Sequence, residues 1–205
     1  MQHVFVIHGG TSVYEKYEDF LEQLRLKPIQ IERYKSFRDW KSRLQDTLGP
    51  EYEVVSPGMP NKDSARYAEW KIWFERFIPF MQDGVVLVGH SLGGIFLAKY
   101  LAEHDIPKKI SATFIVAAPH ESGGSSRWTR KMGEFALPAS LEKLAKQGGG
   151  IHLYHSKDDQ VVSFDELEKY QAALPTAAVH TFEDRGHFNL EEFPELVADI
   201  KNLHG

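Results

Sequence analysis

The chain has 205 residues, 42% of them hydrophobic and 26% charged, the balance of a globular protein large enough to bury a core without covalent staples. A formal net charge of −5 gives no electrostatic footprint for a nucleic-acid partner, and Arg127, Arg130 and Lys131 read as solvated surface. There is no cysteine, which excludes disulfides, thiolate metal ligands and a cysteine nucleophile.

Short apolar runs alternate with amphipathic stretches. In chain order the expected strands are Val4–Ile7, Val54–Val55, Val85–Val88, Phe114–Ala118, Ile151–Tyr154 and Val179–Phe182. Apolar residues at three-to-four spacing predict helices over Phe37–Leu48, Ala65–Phe80, Leu92–His104, Leu141–Gln147, Phe164–Ala173 and Pro194–Leu203. The strand runs are continuous rather than alternating, so both faces of a sheet are covered. The expected fold is therefore α/β: one open, mostly parallel sheet with helices on both faces, in a single domain over 1–205 without a large lid. Two stretches interrupt the alternation, 15–36 and 119–140. Both leave the carboxyl edge of the sheet, where open α/β folds bind ligands. The opening MQHVFVIHGG lacks a basic stretch and a small-residue cleavage site, and no apolar run nears the roughly 20 residues of a membrane helix. A cytoplasmic, membrane-free setting is the expectation.

Gly89-His90-Ser91-Leu92-Gly93 is the most informative segment. It follows a buried strand and opens a helix, the setting of a nucleophile elbow. Side chains at positions 89 and 93 would collide with neighbouring backbone, and the helix that follows turns its first amides toward a developing oxyanion. A serine hydroxyl needs a base. Of ten histidines, His187 is the candidate, because Asp184-Arg185-Gly186-His187-Phe188 is a loop after the last strand. The remaining histidines read as strand, turn or helix-end residues, and no metal site is expected. An acid should precede His187 in the chain, and Asp158 and Asp159 both follow the strand Ile151–Tyr154. The oxyanion donors are expected to be the amides of Leu92 and Gly10, with Thr11 the alternative in His8-Gly9-Gly10-Thr11. Thr11, Trp128 and Phe188 are the candidate pocket walls; Trp70, Trp73 and Phe77 read as core.

With HGG at 8–10, GHSLGG at 89–94, SKDDQVV at 156–162 and RGHF at 185–188, the chain resembles the α/β-hydrolase superfamily over nearly its whole length. Within it, the chain is most similar to the small serine hydrolases related to retinoblastoma-binding protein 9. The family pattern has an apolar residue three places after the acid and then a helix-starting residue. Val162 and Ser163 meet that pattern for Asp159, with Ser163 and Glu166 suited to a capping box. The resemblance implies carboxylesterase-like hydrolysis of a small-molecule acyl ester, with no cofactor. The segment 15–36 departs from that family, so substrate specificity does not carry over. The rivals are a protein-binding module on the same fold and a thioesterase, peptidase or acyltransferase using the same residues. Serine at position 91 excludes the halide- and epoxide-cleaving members, which need a carboxylate there.

Overall fold

A computed structural model describes residues 1–12, 14, 16–29, 31, 38–123 and 130–203. Six parallel strands form the sheet: β1 (Gln2–Ile7), β2 (Tyr52–Val55), β3 (Val85–His90), β4 (Ile110–Val116), β7 (Gly150–Ser156) and β8 (Ala178–Phe182). Their spatial order is β2-β1-β3-β4-β7-β8. The chain steps from β1 to one side, returns, and then moves outward on the other. The switch point therefore lies between β1 and β3, and open α/β sheets bind ligands beyond the carboxyl ends at that place.

Alternate residues of each strand feed two cores. Phe5, Ile7, Leu87, Ile115 and Leu153 face one cluster, which is covered by α3 (Tyr67–Glu75), α4 (Leu92–Glu103), α5 (Glu142–Gln147) and α6 (Asp165–Ala173). Val4, Val6, Val88, Phe114 and Tyr154 face the other, which is covered by α2 (Trp40–Leu48) and α7 (Pro194–Asn202). This double burial is why the strand sequences run apolar without alternation.

Most expected elements occur, with physical reasons for the differences. α2 starts at Trp40 because the Asp39 carboxylate accepts from the Ser42 amide and caps it; Phe37 lies outside the described residues. The helix expected over Ala65–Phe80 is shorter, because Ala65 bridges to Ser12 and a separate tight turn around Pro79 spans Ile78–Phe80. The capping box at Ser163 does not form. α6 begins at Asp165, and Glu166 instead turns inward to accept the amides of His120 and Glu121 at 2.6 and 2.7 Å. The segment 119–140 is more than a loop. Its described part holds a small hairpin, β5 (Ser122–Gly123) with β6 (Arg130–Lys131), and buries Met132 and Phe135. The described part of the segment 15–36 includes the helix α1 (Tyr17–Leu26), which has no buried residue. Among the described residues, no helix is long and apolar enough to cross a membrane.

Candidate active site

Ser91 stands between β3 and α4 with φ 56° and ψ −121°, a conformation that costs a non-glycine residue of order 1–3 kcal/mol. The turn is over-determined. Its amide donates to the Val116 carbonyl at 2.8 Å, and its carbonyl accepts from the Gly94 amide at 2.9 Å. The flanking glycines are steric necessities. A Cβ on Gly89 would lie 2.5 Å from the Gly93 carbonyl oxygen, and one on Gly93 would lie 2.2 Å from that of Ile7. Close approach of β1, β3 and α4 thus demands the Gly-x-Ser-x-Gly spacing.

The structure brings Ser91, His187 and Asp159 together. His187 Nε2 lies 2.9 Å from Ser91 Oγ, and His187 Nδ1 lies 2.8 Å from Asp159 Oδ2. A carboxylate only accepts, so Nδ1 carries the proton and Nε2 is left to accept from the serine hydroxyl. The other oxygen, Asp159 Oδ1, accepts the amides of Val161 and Val162 at 2.7 and 3.0 Å. Asp158 is separate. Its Oδ1 accepts from Ser156 Oγ at 2.5 Å and from the Gly186 amide at 2.8 Å, and these bonds, the serine hydroxyl first, hold its carboxyl below the usual range. Asp158 therefore ties the end of β7 to the loop that carries His187, while its neighbour faces the imidazole.

Three further histidines surround the site, and burial lowers the pKa of each. His90 Nε2 donates to the His187 carbonyl at 2.8 Å; its burial pushes its pKa well below the ordinary value. His155 Nε2 donates to the Val162 carbonyl at 3.1 Å and lies 3.5 Å from Asp159 Oδ2, and burial lowers its pKa as well. His8 accepts the Met59 amide on Nε2 at 2.9 Å, and its burial acts in the same direction. The sequence gives neither His90 nor His155 a role at the site. His90 adjoins Ser91 and His155 lies four residues before Asp159, but the direction of the rings is not visible in the sequence.

The turn after β1 runs against the serine. A Cβ on Gly9 would lie 3.1 Å from Ser91 Cβ, and one on Gly10 would lie 2.5 Å from the Lys62 carbonyl oxygen and 3.3 Å from Leu92 Cδ2. Leu92 is the first residue of α4, where amides have no partner inside the helix. Thr11 differs: its amide donates to Lys62 at 2.7 Å and its carbonyl accepts from Ala65 at 2.8 Å, so its backbone is committed. Thr11 does line a cavity of about 370 Å³ with Tyr14, Phe20 and Leu24.

Phe188 is not a pocket wall. Its side chain is fully buried among Phe182 and Phe193 in the second core, and its carbonyl accepts from Trp40 Nε1 at 2.9 Å. With φ 52° it is a strained anchor that fixes the loop next to His187. Trp128 lies outside the described residues. Trp70 is wholly buried, as a core residue should be.

A single parallel sheet with a strained serine turn at its switch point defines the α/β-hydrolase fold. Solved structures share it. The ydeN gene product of B. subtilis matches with a TM-score of 0.73 at 18% identity, covering 100% of this chain and 99% of that one. An esterase from Exiguobacterium antarcticum matches with a TM-score of 0.60 at 16% identity, covering 100% and 92%. In sequence, the rat serine hydrolase RBBP9 is 28% identical over 160 residues, 75% of this chain and 79% of that protein. The serine hydrolase family model matches residues 34–196, and the chain belongs to that family.

Proposed function

We propose that this serine hydrolase cleaves acyl esters through Ser91, His187 and Asp159. The observation that carries the reading is the unbroken hydrogen-bond chain from Ser91 Oγ through both His187 nitrogens to Asp159. Ser91 Oγ attacks the ester carbonyl while His187 Nε2 takes its proton, and Asp159 holds the imidazole in the tautomer that can do so. The amides of Leu92 and Gly10 receive the oxyanion, supported by the Gly10–Leu92 proximity and the committed backbone of Thr11. His187 then protonates the departing alcohol. Water, deprotonated by the same imidazole, releases the acid and restores Ser91. Every step uses the chain's own residues and needs no metal or organic cofactor.

The cavity beside Thr11 supports a place for the variable part of the substrate, since it adjoins the oxyanion turn. A panel of matched p-nitrophenyl esters, thioesters and anilides tests the reading. Hydrolysis strongest on the esters and abolished by Ser91→Ala is the expected result. Preference for thioester or anilide would assign one of the rival reactions, and inactivity on all three would favour a binding module.

A further inference from the structure

A second cavity, of about 560 Å³, adjoins the one that Thr11 lines, and the two share Tyr14, Phe20 and Asp63 as walls. Lys62 anchors it to the turn after β1. The Lys62 carbonyl accepts the Thr11 amide at 2.7 Å, and a Cβ on Gly10 would lie 2.5 Å from the same oxygen. Five charged side chains line this cavity: Lys16, Lys62, Asp63, Arg66 and Glu69. Asp63 is paired with Lys27 at 3.1 Å, and Arg66 with Glu134 at 3.0 Å. Glu69, in the first turn of α3, accepts from Asn61 Nδ2 at 2.9 Å. Lys16 and Lys62 have no carboxylate within 4.0 Å among the described residues. Two unpaired lysines thus stand against one carboxylate, on a chain whose net charge is −5.

We propose that this cavity receives a carboxylate carried by the ester substrate, with Lys62 and Lys16 as its cationic partners. The inference rests on the ester hydrolysis proposed above and names the class of ester, one with an acidic arm. Burial, and after it the charges of Lys62 and Lys41, lower the His8 pKa, so both lysines act on the start of the oxyanion turn. Lys41 is neutralised by Asp39 at 2.7 Å, whereas Lys62 keeps its charge for a ligand. Tyr17 and Phe20 give the same cavity apolar walls, which suits a hydrocarbon arm ending in a carboxylate better than a bare inorganic anion. A lysine ammonium is a point charge on a flexible stem, and it can follow arms of different length. In the sequence, Asn61-Lys62-Asp63 is a charged loop that reads as solvated surface. Only the fold brings Lys62 beside Gly10 and into one cavity with Lys16. An exposed ion pair changes an affinity by up to about fivefold, which sets the size of the effect.

The test uses two matched ester pairs on the full chain. The p-nitrophenyl monoester of adipic acid against p-nitrophenyl hexanoate puts the charge on the acyl arm. A 4-carboxyphenyl ester against its methyl-ester counterpart puts it on the leaving group. The readout is the ratio of kcat/KM for the charged and neutral members, compared between wild type and variant, so that intrinsic reactivity and any loss of folded protein cancel. In at least one pair, Lys62→Gln should lower that ratio about fivefold, and Lys62→Glu should lower it further. Raising NaCl from about 0.05 M to about 0.5 M should shrink the wild-type ratio and leave that of Lys62→Glu no higher. The same two charged esters are also titrated onto Ser91→Ala, with and without Lys62→Gln, by NMR; the second substitution should weaken binding of one of them about fivefold. Ratios unchanged by Lys62→Gln and Lys62→Glu in both pairs, with hydrolysis of the neutral esters intact, would overturn the acidic-arm proposal alone. Absence of hydrolysis on all four esters would overturn the esterase reading, and the titration would still decide the carboxylate site: binding insensitive to Lys62→Gln overturns it.

Discussion

At the carboxyl ends of β7 and β8, the loops bearing Asp159 and His187 are tied down atom by atom. Asp159 accepts two amides, Asp158 bridges Ser156 to Gly186, His90 grips the His187 carbonyl, and Trp40 grips that of Phe188. The excursion after β1 meets the same edge of the sheet but is built oppositely. Its helix α1 buries nothing, and Tyr17, Leu24 and Leu26 stand exposed at 67%, 49% and 62%. Under the function proposed above, the contrast separates two tasks. Proton transfer tolerates little displacement and is supported by buried polar bonds and strained turns. Shape selection can rest on a thinly packed helix, whose cavities open beside Thr11 and along Tyr14, Phe20 and Arg66.

Asp159→Asn should break the first region most. With the wrong imidazole tautomer favoured, we expect kcat on p-nitrophenyl acetate to fall about 10⁴-fold. Asp158→Asn, one residue away, should cost less than about tenfold, because it loosens the loop without touching the imidazole. Equal losses would contradict the separation of the two carboxylates. Next in size is Gly93→Ala, whose Cβ would lie 2.2 Å from the Ile7 carbonyl oxygen. Urea unfolding should show a loss of about 3 kcal/mol, whereas Leu24→Ala on α1 should stay within about 0.5 kcal/mol.

Phe20→Ala probes the second region. It should change KM for bulky esters by about tenfold, with kcat for acetate esters and the Tm unmoved. Smallest is the pH effect. His8, His90 and His155 have folded pKa values below their unfolded values, so the unfolded chain binds more protons as acidity rises. Their stabilising contribution is complete above about pH 6.5 and shrinks as pH falls through that value. Unfolding free energies at pH 7.5 and 5.0 should show the decline, shallower in His155→Gln.

Much of this was legible in the sequence, for identifiable reasons. Continuous apolar runs such as Val85–Val88 mark strands buried on both faces, and glycines at 89 and 93 mark a backbone contact that no side chain survives. Chain order then carried Asp159 and His187 to the serine. What stayed hidden depends on side-chain direction. Phe188, next to His187, is an aromatic in a glycine-containing loop, yet a left-handed backbone turns it into the core. Glu166 has the spacing of a helix cap, but its carboxylate turns inward to accept the amides of His120 and Glu121. His90 precedes Ser91 directly and His155 lies four residues before Asp159, and only the fold shows that they contact His187 and Asp159.

The central claim is that Ser91 is the nucleophile activated by His187. A fluorophosphonate probe followed by intact-mass and peptide mass spectrometry tests it most directly. The account predicts a single adduct on the peptide containing Ser91, absent in Ser91→Ala and strongly slowed in His187→Ala. An adduct on another residue, or labelling that persists in Ser91→Ala, would contradict it.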